Sequence, residues 1–174
     1  MRVPGFIRQL FPHREWKVAT REKVLYLSFD DGPHPEITPH TMNTLDQFQA
    51  KATFFCVGDN VRKFPEVYRE ILNRGHCCGN HTMNHLKGWN TSTEIYLNNV
   101  EEAAQLIKSR LFRPPYGRMT REQERKLKED YRIIMWTLLS ADYQPGLNRE
   151  RALDFLKRHT KPGSIVVFHD SEKA

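Results

Sequence analysis

The sequence has little cysteine: three residues in 174, at positions 56, 77 and 78. An odd count with two adjacent members does not suit the disulfide framework of a small secreted domain, so three reduced, mostly buried thiols are expected. Long apolar runs are also lacking. No window approaches the roughly 20 apolar residues of a membrane span. The N-terminal stretch "MRVPGFIRQLFPHREWKVAT" is broken by Pro4, Gly5 and charges, so it holds no apolar region of signal-peptide length. Localisation is left open by the sequence, but with no signal peptide visible a cytoplasmic protein is favoured over an exported one. There is no internal repeat and no low-complexity segment.

What is there is ordinary for a folded protein, with 39% hydrophobic, 28% charged and 11% aromatic residues. The length suits a single domain over 1–174 that buries roughly two-thirds of its unfolded surface, with residues 1–20 as an N-terminal extension. The net charge is +6, which permits attraction to an anionic polymer. The basic residues are spread along the chain, and "TREQERKLKED" mixes signs at helical spacing. That pattern reads as a solvated helix face, so nucleic acid is not an expected partner.

Strand-like and helix-like segments alternate. "KVLYLSF" (23–29), "ATFFCVG" (52–58), "YRIIMWTLL" (131–139) and "GSIVVFHD" (163–170) are continuously apolar, as strands buried on both faces of a parallel sheet are. Between them, "TPHTMNTLDQFQ", "NVRKFPEVYREILNRG", "STEIYLNNVEEAAQLIKS", "TREQERKLKED" and "NRERALDFLKRH" space their apolar residues three to four apart. Several have Ser, Thr or Asn in capping position. The alternation predicts an α/β fold with a barrel-like parallel sheet. The chain ends just after its last apolar run, which leaves that strand without a covering helix.

In parallel β/α folds the functional side chains gather where strands end and loops begin, and four features fall there. "SFDDGPHP" ends an apolar run with adjacent carboxylates, Asp30 and Asp31, before Gly32 and Pro33 turn the chain. A regular strand would point the two to opposite faces, whereas a broken pleat lets both converge on one site. The alternative is a polar turn whose carboxylates bond nearby amides. "GNHTMNHLKGW" sets His81 and His85 four apart, so on one helical turn their rings share a face and can hold a divalent ion; the alternative is a pair of surface or capping histidines. With an acidic strand end beside them they complete a two-histidine, one-carboxylate set suited to zinc and other divalent metals.

The third feature, "LFRPPYG", presents Arg113 at the end of a short apolar run and before two stiffening prolines. Beside a carboxylate its guanidinium would keep that group ionised and oriented; otherwise it is a surface Arg ahead of a structural turn. The fourth is "SADY" with Asp142 and "VVFHD" with His169. An Asp bonded to the imidazole would raise its pKa and fix its tautomer, making a proton donor of what is otherwise a hydrogen-bonded core histidine.

Taken in order, "SFDDGP", "HTMNH", "RPPYG", "SADY" and "VVFHD" resemble the five motifs of the polysaccharide deacetylases with a NodB-type domain, carbohydrate esterase family 4. The resemblance runs from residue 24 to 170, and "ATFFCVG" and "RGHCCGNH" look like family core segments. It implies a distorted (β/α) barrel of about seven strands and metal-dependent hydrolysis of N-acetyl groups on an amino-sugar polymer or oligomer of peptidoglycan or chitin type. On that pattern Asp31, His81 and His85 bind a divalent metal, zinc in the first place, with Co2+, Ni2+ or Mn2+ as alternatives. Asp30 is the general base and is held by Arg113. The backbone N–H of Tyr116 helps stabilise the oxyanion. His169, held by Asp142, protonates the departing amine, and Tyr143 and Val167 wall the acetyl pocket.

Two departures from the family pattern stand out. Leu139 occupies a position often held by Asp, and Tyr143 one usually held by Trp, which implies retained chemistry with an altered groove. The family's usual final strand and helix after "HD" are not in the sequence, so a fold lacking those C-terminal elements is expected. Two other readings share the same residues: a deacylase of a different acylated substrate, and a carbohydrate-binding member of the fold without turnover.

Overall fold

A computed structural model describes residues 1–174. Eight strands form one sheet: β1 (Arg14–Glu15), β2 (Tyr26–Asp30), β3 (Ala52–Cys56), β4 (Cys77–Asn80), β5 (Leu111–Phe112), β6 (Arg132–Ile134), β7 (Leu138–Leu139) and β8 (Ile165–His169). Their spatial order is β1-β6-β5-β4-β3-β2-β8-β7, every pairing is parallel, and the two edges do not pair with each other. The result is the barrel-like parallel sheet that the alternation predicted, in the distorted β/α form that the resemblance implies, incompletely closed and with one strand more than the seven or so expected.

Seven helices connect the strands: α1 (Gly5–Leu10), α2 (Ile37–Gln47), α3 (Gly58–Lys63), α4 (Pro65–Asn73), α5 (Thr93–Leu106), α6 (Arg121–Leu127) and α7 (Arg149–His159). None is long and apolar enough to cross a membrane. Capping residues legible in the sequence do fix starts. Ser92 and Asn148 accept backbone N–H groups of α5 and α7, and Thr120 with Gln123 forms a reciprocal capping box on α6.

Two segments that read as single elements are each divided. "NVRKFPEVYREILNRG" gives α3 and α4, because Pro65 cannot donate within a continuing helix and instead sits at the first turn of the second one. "YRIIMWTLL" supplies β6 and β7, which lie near opposite edges of the sheet. The chain crosses the gap at Trp136: Met135 N–H donates to Glu15 O at 2.8 Å and Thr137 N–H to Ile165 O at 3.0 Å.

Residues 1–18 cover that same gap. Val3 N–H donates to Thr137 O at 3.1 Å, β1 pairs with β6, and Val18 N–H donates to Gly163 O at 2.9 Å. A buried Arg14–Glu124 ion pair, with contacts of 2.9 and 2.6 Å, ties β1 to α6.

The core lies between sheet and helices in two main clusters. One packs Phe54, Cys56 and Cys78 of β3 and β4 against Met42, Leu45, Val61, Ile71 and Ala103. The other packs Phe112 and Ile133 against Tyr96, Val100, Leu127 and Trp16. All three cysteines are free thiols; Cys56 and Cys78 are buried and Cys77 is exposed.

Candidate active site

The strand ends of β2, β4 and β8 open on one cleft of about 430 Å³. Asp30, Asp31, His81, His85, Tyr116, Tyr143, Val167 and His169 all line it. Arg113 and Asp142 stand behind Asp30 and His169 and touch them directly. All ten sequence-selected residues therefore lie at one place.

Asp30 and Asp31 share the cleft because the pleat breaks between them. Asp30 ends β2 in extended conformation, whereas Asp31 has φ 81, in the left-handed region that non-glycine residues rarely enter. Neighbouring groups hold the turn: Asn60 Nδ2 donates to Asp31 O at 2.7 Å, and Val57 N–H to Gly32 O at 2.9 Å.

Asp30 is buried against Arg113, whose Nη1 donates to its Oδ1 at 2.5 Å. Arg113 is fully buried, and burial opposes its charge, but four of its five N–H donors are satisfied. Nη1 also reaches Ser28 Oγ at 2.9 Å, Nε reaches Ile134 O at 3.1 Å and Nη2 reaches Met135 O at 3.1 Å. The guanidinium carbon lies 4.0 Å from the Phe55 ring centroid. So constrained, the cation fixes the orientation of the Asp30 carboxylate.

His81 and His85 reach Asp31 differently from the sequence expectation. "HTMNH" is not a helical turn: residues 81–87 form a loop with Thr82 at φ 66 and His85 at φ 55. Asn80 and Asn99 bind that loop's backbone, Asn80 Oδ1 accepting from Thr82 N–H at 2.8 Å and Asn99 Oδ1 from Met83 N–H at 2.9 Å. The rings still converge, with centroids 5.1 Å apart.

His81 Nδ1 lies 2.7 Å from Arg113 O. A carbonyl can only accept, so this bond places the proton on Nδ1 and leaves Nε2 free to ligate. Nε2 of His81 and of His85 lie 3.6 and 3.2 Å from Asp31 Oδ1. One ligand atom from each of the three residues falls within 4.8 Å of the others, and the donor set of two imidazoles and one carboxylate fits a divalent ion with open positions. Burial works to raise the Asp31 carboxyl pKa, but when the two imidazoles are protonated their hydrogen bonds and charges overcome it and hold it far below the usual carboxylate range.

His169 ends β8, and its Nδ1 lies 2.7 Å from Asp142 Oδ1 while its backbone N–H donates to Asp142 Oδ2 at 2.8 Å. Burial alone would lower the imidazole pKa. The Asp142 hydrogen bond, with the charges of Asp30, Asp142 and Asp31, raises it instead. Tyr143 stands edge-on to this ring at 5.0 Å, and Leu139 pairs in register with Val167 on the cleft wall. Tyr116 adopts φ 59, with its ring 4.7 Å from that of His85.

The sequence reading missed five residues. Trp136 lines the cleft, yet it was hidden in an apolar run; a Cβ on Gly117 would come within 2.5 Å of its ring. Lys87, Arg118 and Lys173 stand at the cleft mouth, and spacing gave no signal for them. Asp170, the final letter of "VVFHD", is completely buried.

Fold and site together define a β/α barrel whose cleft has a place for a divalent ion. Residues 17–132 match the polysaccharide deacetylase family model. A peptidoglycan-N-acetylglucosamine deacetylase of Bacillus cereus is 35% identical over 164 residues, covering 89% of this chain and 76% of the relative. Two further Bacillus cereus enzymes of that name, 30% and 34% identical over 83% and 85% of this chain, are longer, and the chain spans only 55% and 60% of them.

A chitooligosaccharide deacetylase of Bradyrhizobium is 30% identical, covering 95% of this chain and 78% of the relative. Among solved structures, the Bc1960 peptidoglycan N-acetylglucosamine deacetylase superposes with a TM-score of 0.87 at 28% identity, covering 96% of this chain and 81% of that one. A pseudoenzyme of the CE4 family from Bacillus anthracis superposes at 0.78 with 23% identity, covering 91% and 58%, a likeness of fold alone. The chain belongs to the polysaccharide deacetylase family.

Proposed function

We propose that this protein hydrolyses N-acetyl groups on an amino-sugar polymer of peptidoglycan or chitin type, with a divalent ion, zinc first, at Asp31, His81 and His85. One observation carries the reading: the ligand cluster, the Arg113-held carboxylate of Asp30 and the Asp142-held imidazole of His169 face one cleft. The names of the relatives supply the substrate class.

Amide hydrolysis needs an activated water, stabilised charge on the carbonyl oxygen and a proton for the amine. A bound divalent ion supplies Lewis acidity toward the carbonyl. Asp30, held in place by Arg113, takes the proton of the attacking water. The Tyr116 backbone N–H faces the developing oxyanion. His169, with its proton retained by Asp142, gives that proton to the departing nitrogen. Val167, Leu139 and Tyr143 enclose the acetyl methyl in an apolar corner.

The mouth of the cleft favours an anionic polymer over a neutral one. Lys87, Arg118 and Lys173 face it, while its own carboxylates are engaged by Arg113 and by the two histidines. Leu139 and Tyr143, where the family pattern has Asp and Trp, support a second reading in which the acylated substrate is a different one.

The zinc-loaded protein is expected to release acetate from N-acetylglucosamine oligomers, and Asp30→Asn to keep zinc but lose release. Turnover retained in Asp30→Asn removes Asp30 from the role of base. Oligomer binding without acetate release in the wild type makes this a binding member of the fold.

A further inference from the structure

Asp170 follows His169 directly and has no exposed surface. No Lys, Arg or His bonds its carboxylate. Its partners are the Gly32 N–H, at 3.1 Å from Oδ1, and the Thr38 hydroxyl, at 2.6 Å from Oδ2. Thr38, itself buried in the first turn of α2, also accepts from the His34 N–H at 2.8 Å, and the Asp170 N–H donates to Asp30 O at 3.1 Å. One residue at the end of β8 thus grips the chain at 30, at 32 and, through Thr38, at 34.

Burying a carboxylate without a cation is costly. Burial pushes this carboxyl up to about 7, Asp30 adds to the rise, and the bonds from Thr38 and Gly32 oppose it. A plain tie between a strand end and a loop needs no such group.

The geometry points to a more specific role: Asp170 is a positioning residue that holds the Asp31 carboxylate in line with His81 and His85. The peptide joining Asp31 to Gly32 is clamped at both ends. Asn60 binds its carbonyl at 2.7 Å and Asp170 binds its N–H at 3.1 Å. The orientation of that peptide sets ψ of Asp31, a residue already in the strained left-handed region, where surrounding contacts must over-determine the backbone. Releasing one clamp lets the peptide turn, and the carboxylate swings away from the two imidazoles. Gly32 belongs to the same device, because a Cβ there would lie 2.1 Å from Asp170 Oδ2.

The inference rests on the proposed metal site, and zinc affinity measured without substrate tests it apart from turnover. Competition with a chelating dye is expected to show zinc affinity reduced about tenfold or more in Asp170→Ala, the range found for outer ligand supports. In acetate release the loss falls on kcat with KM unchanged. Asp170→Asn keeps an oxygen for Gly32 and an amide for the Thr38 hydroxyl, so zinc affinity returns to within about threefold of wild type.

A folded Asp170→Ala with wild-type zinc affinity and kcat overturns the role, whatever its melting temperature. Should Asp170→Ala not fold, Thr38→Val decides: it loses zinc affinity severalfold if Asp170 positions the ligand turn, and an unchanged affinity overturns the proposal. A wild type that binds zinc but releases no acetate sinks the proposed reaction and leaves the positioning role standing. A wild type that binds no zinc sinks both.

Discussion

Asp30 and His169 are direct register partners, on adjacent parallel strands β2 and β8. Neighbouring strands lie about 4.8 Å apart, so the proposed base and the proposed acid are placed side by side by backbone hydrogen bonds alone. Each then receives its own partner from elsewhere in the sequence, Arg113 for Asp30 and Asp142 for His169. Two titratable groups with separate charged partners can hold opposite protonation states at one pH, as acid–base hydrolysis requires.

The Asp142–His169 pair predicts a pH dependence. Its charges raise the pKa of His169 against burial, and the same pair lowers that of Asp142, where burial again opposes. A raised imidazole pKa keeps the acid protonated further into alkali, so the alkaline limb of kcat lies above the ordinary histidine value of about 6.5. Asp142→Asn should move that limb down. For stability, the histidine contribution is full below about 6.5 and is lost as pH rises through the folded value. The aspartate contribution is present above its unfolded value and is lost as pH falls through its lowered one. Rate profiles and melting curves across pH check both, and a limb that stays put in Asp142→Asn contradicts the assignment of His169.

Arg113→Ala should destabilise strongly. It leaves Asp30 buried without its cation, a loss of about 3–5 kcal/mol, and empties the space over Phe55. In urea unfolding, Asp30→Asn added to Arg113→Ala is expected to recover part of that loss, because the neutral amide no longer needs the cation. Strict additivity of the two changes would mean that the pair is not coupled. Arg113→Lys should fall between, since an ammonium cannot serve Ser28, Asp30, Ile134 and Met135 from one plane.

Much of the site was legible because its chemistry is local in sequence. "SFDDGP", "RPPYG" and "VVFHD" each end an apolar run, and a parallel sheet collects such ends on one rim. What was not legible depends on backbone torsion or on the third dimension. A four-residue histidine spacing reads as a helical turn, yet left-handed residues at Thr82 and His85 bring the rings together in a loop. Continuous apolarity cannot show that "YRIIMWTLL" crosses a gap between strands near opposite edges. Short β4 and β5 have little pattern of their own and are strands because β3 and β6 flank them. Asp170 closes the run "GSIVVFHD", and only the fold shows that it is enclosed.

Metal removal should leave the chain folded. The proposed ligands are mounted on backbone that the protein holds itself, through Asn60 on Asp31, Arg113 O on His81 and Asn99 on the loop before His85. Circular dichroism after chelation is therefore expected to keep its native form, with a lower melting temperature. Zinc at a hundredfold excess over its dissociation constant restores about 2.7 kcal/mol. Unfolding on chelation would show instead that the ion organises the site.

The cations at the cleft mouth predict how affinity responds to salt. Two are braced by exposed aromatic rings, Lys87 with its Nζ 5.9 Å from the Tyr116 centroid and Arg118 with its guanidinium 4.8 Å from that of Trp89. Their field reaches a substrate across water, where a Debye length of about 10 Å at 0.1 M salt screens it. KM for a carboxylate-bearing glycan should therefore rise steeply between 0.05 and 0.5 M salt, roughly the range over which screening becomes short, while KM for a neutral oligomer stays nearly flat. Combining Lys87→Gln with Arg118→Gln should remove most of the difference between the two curves. If both substrates respond alike in the wild type, the charge at the mouth serves solubility, and the preference for an anionic polymer falls.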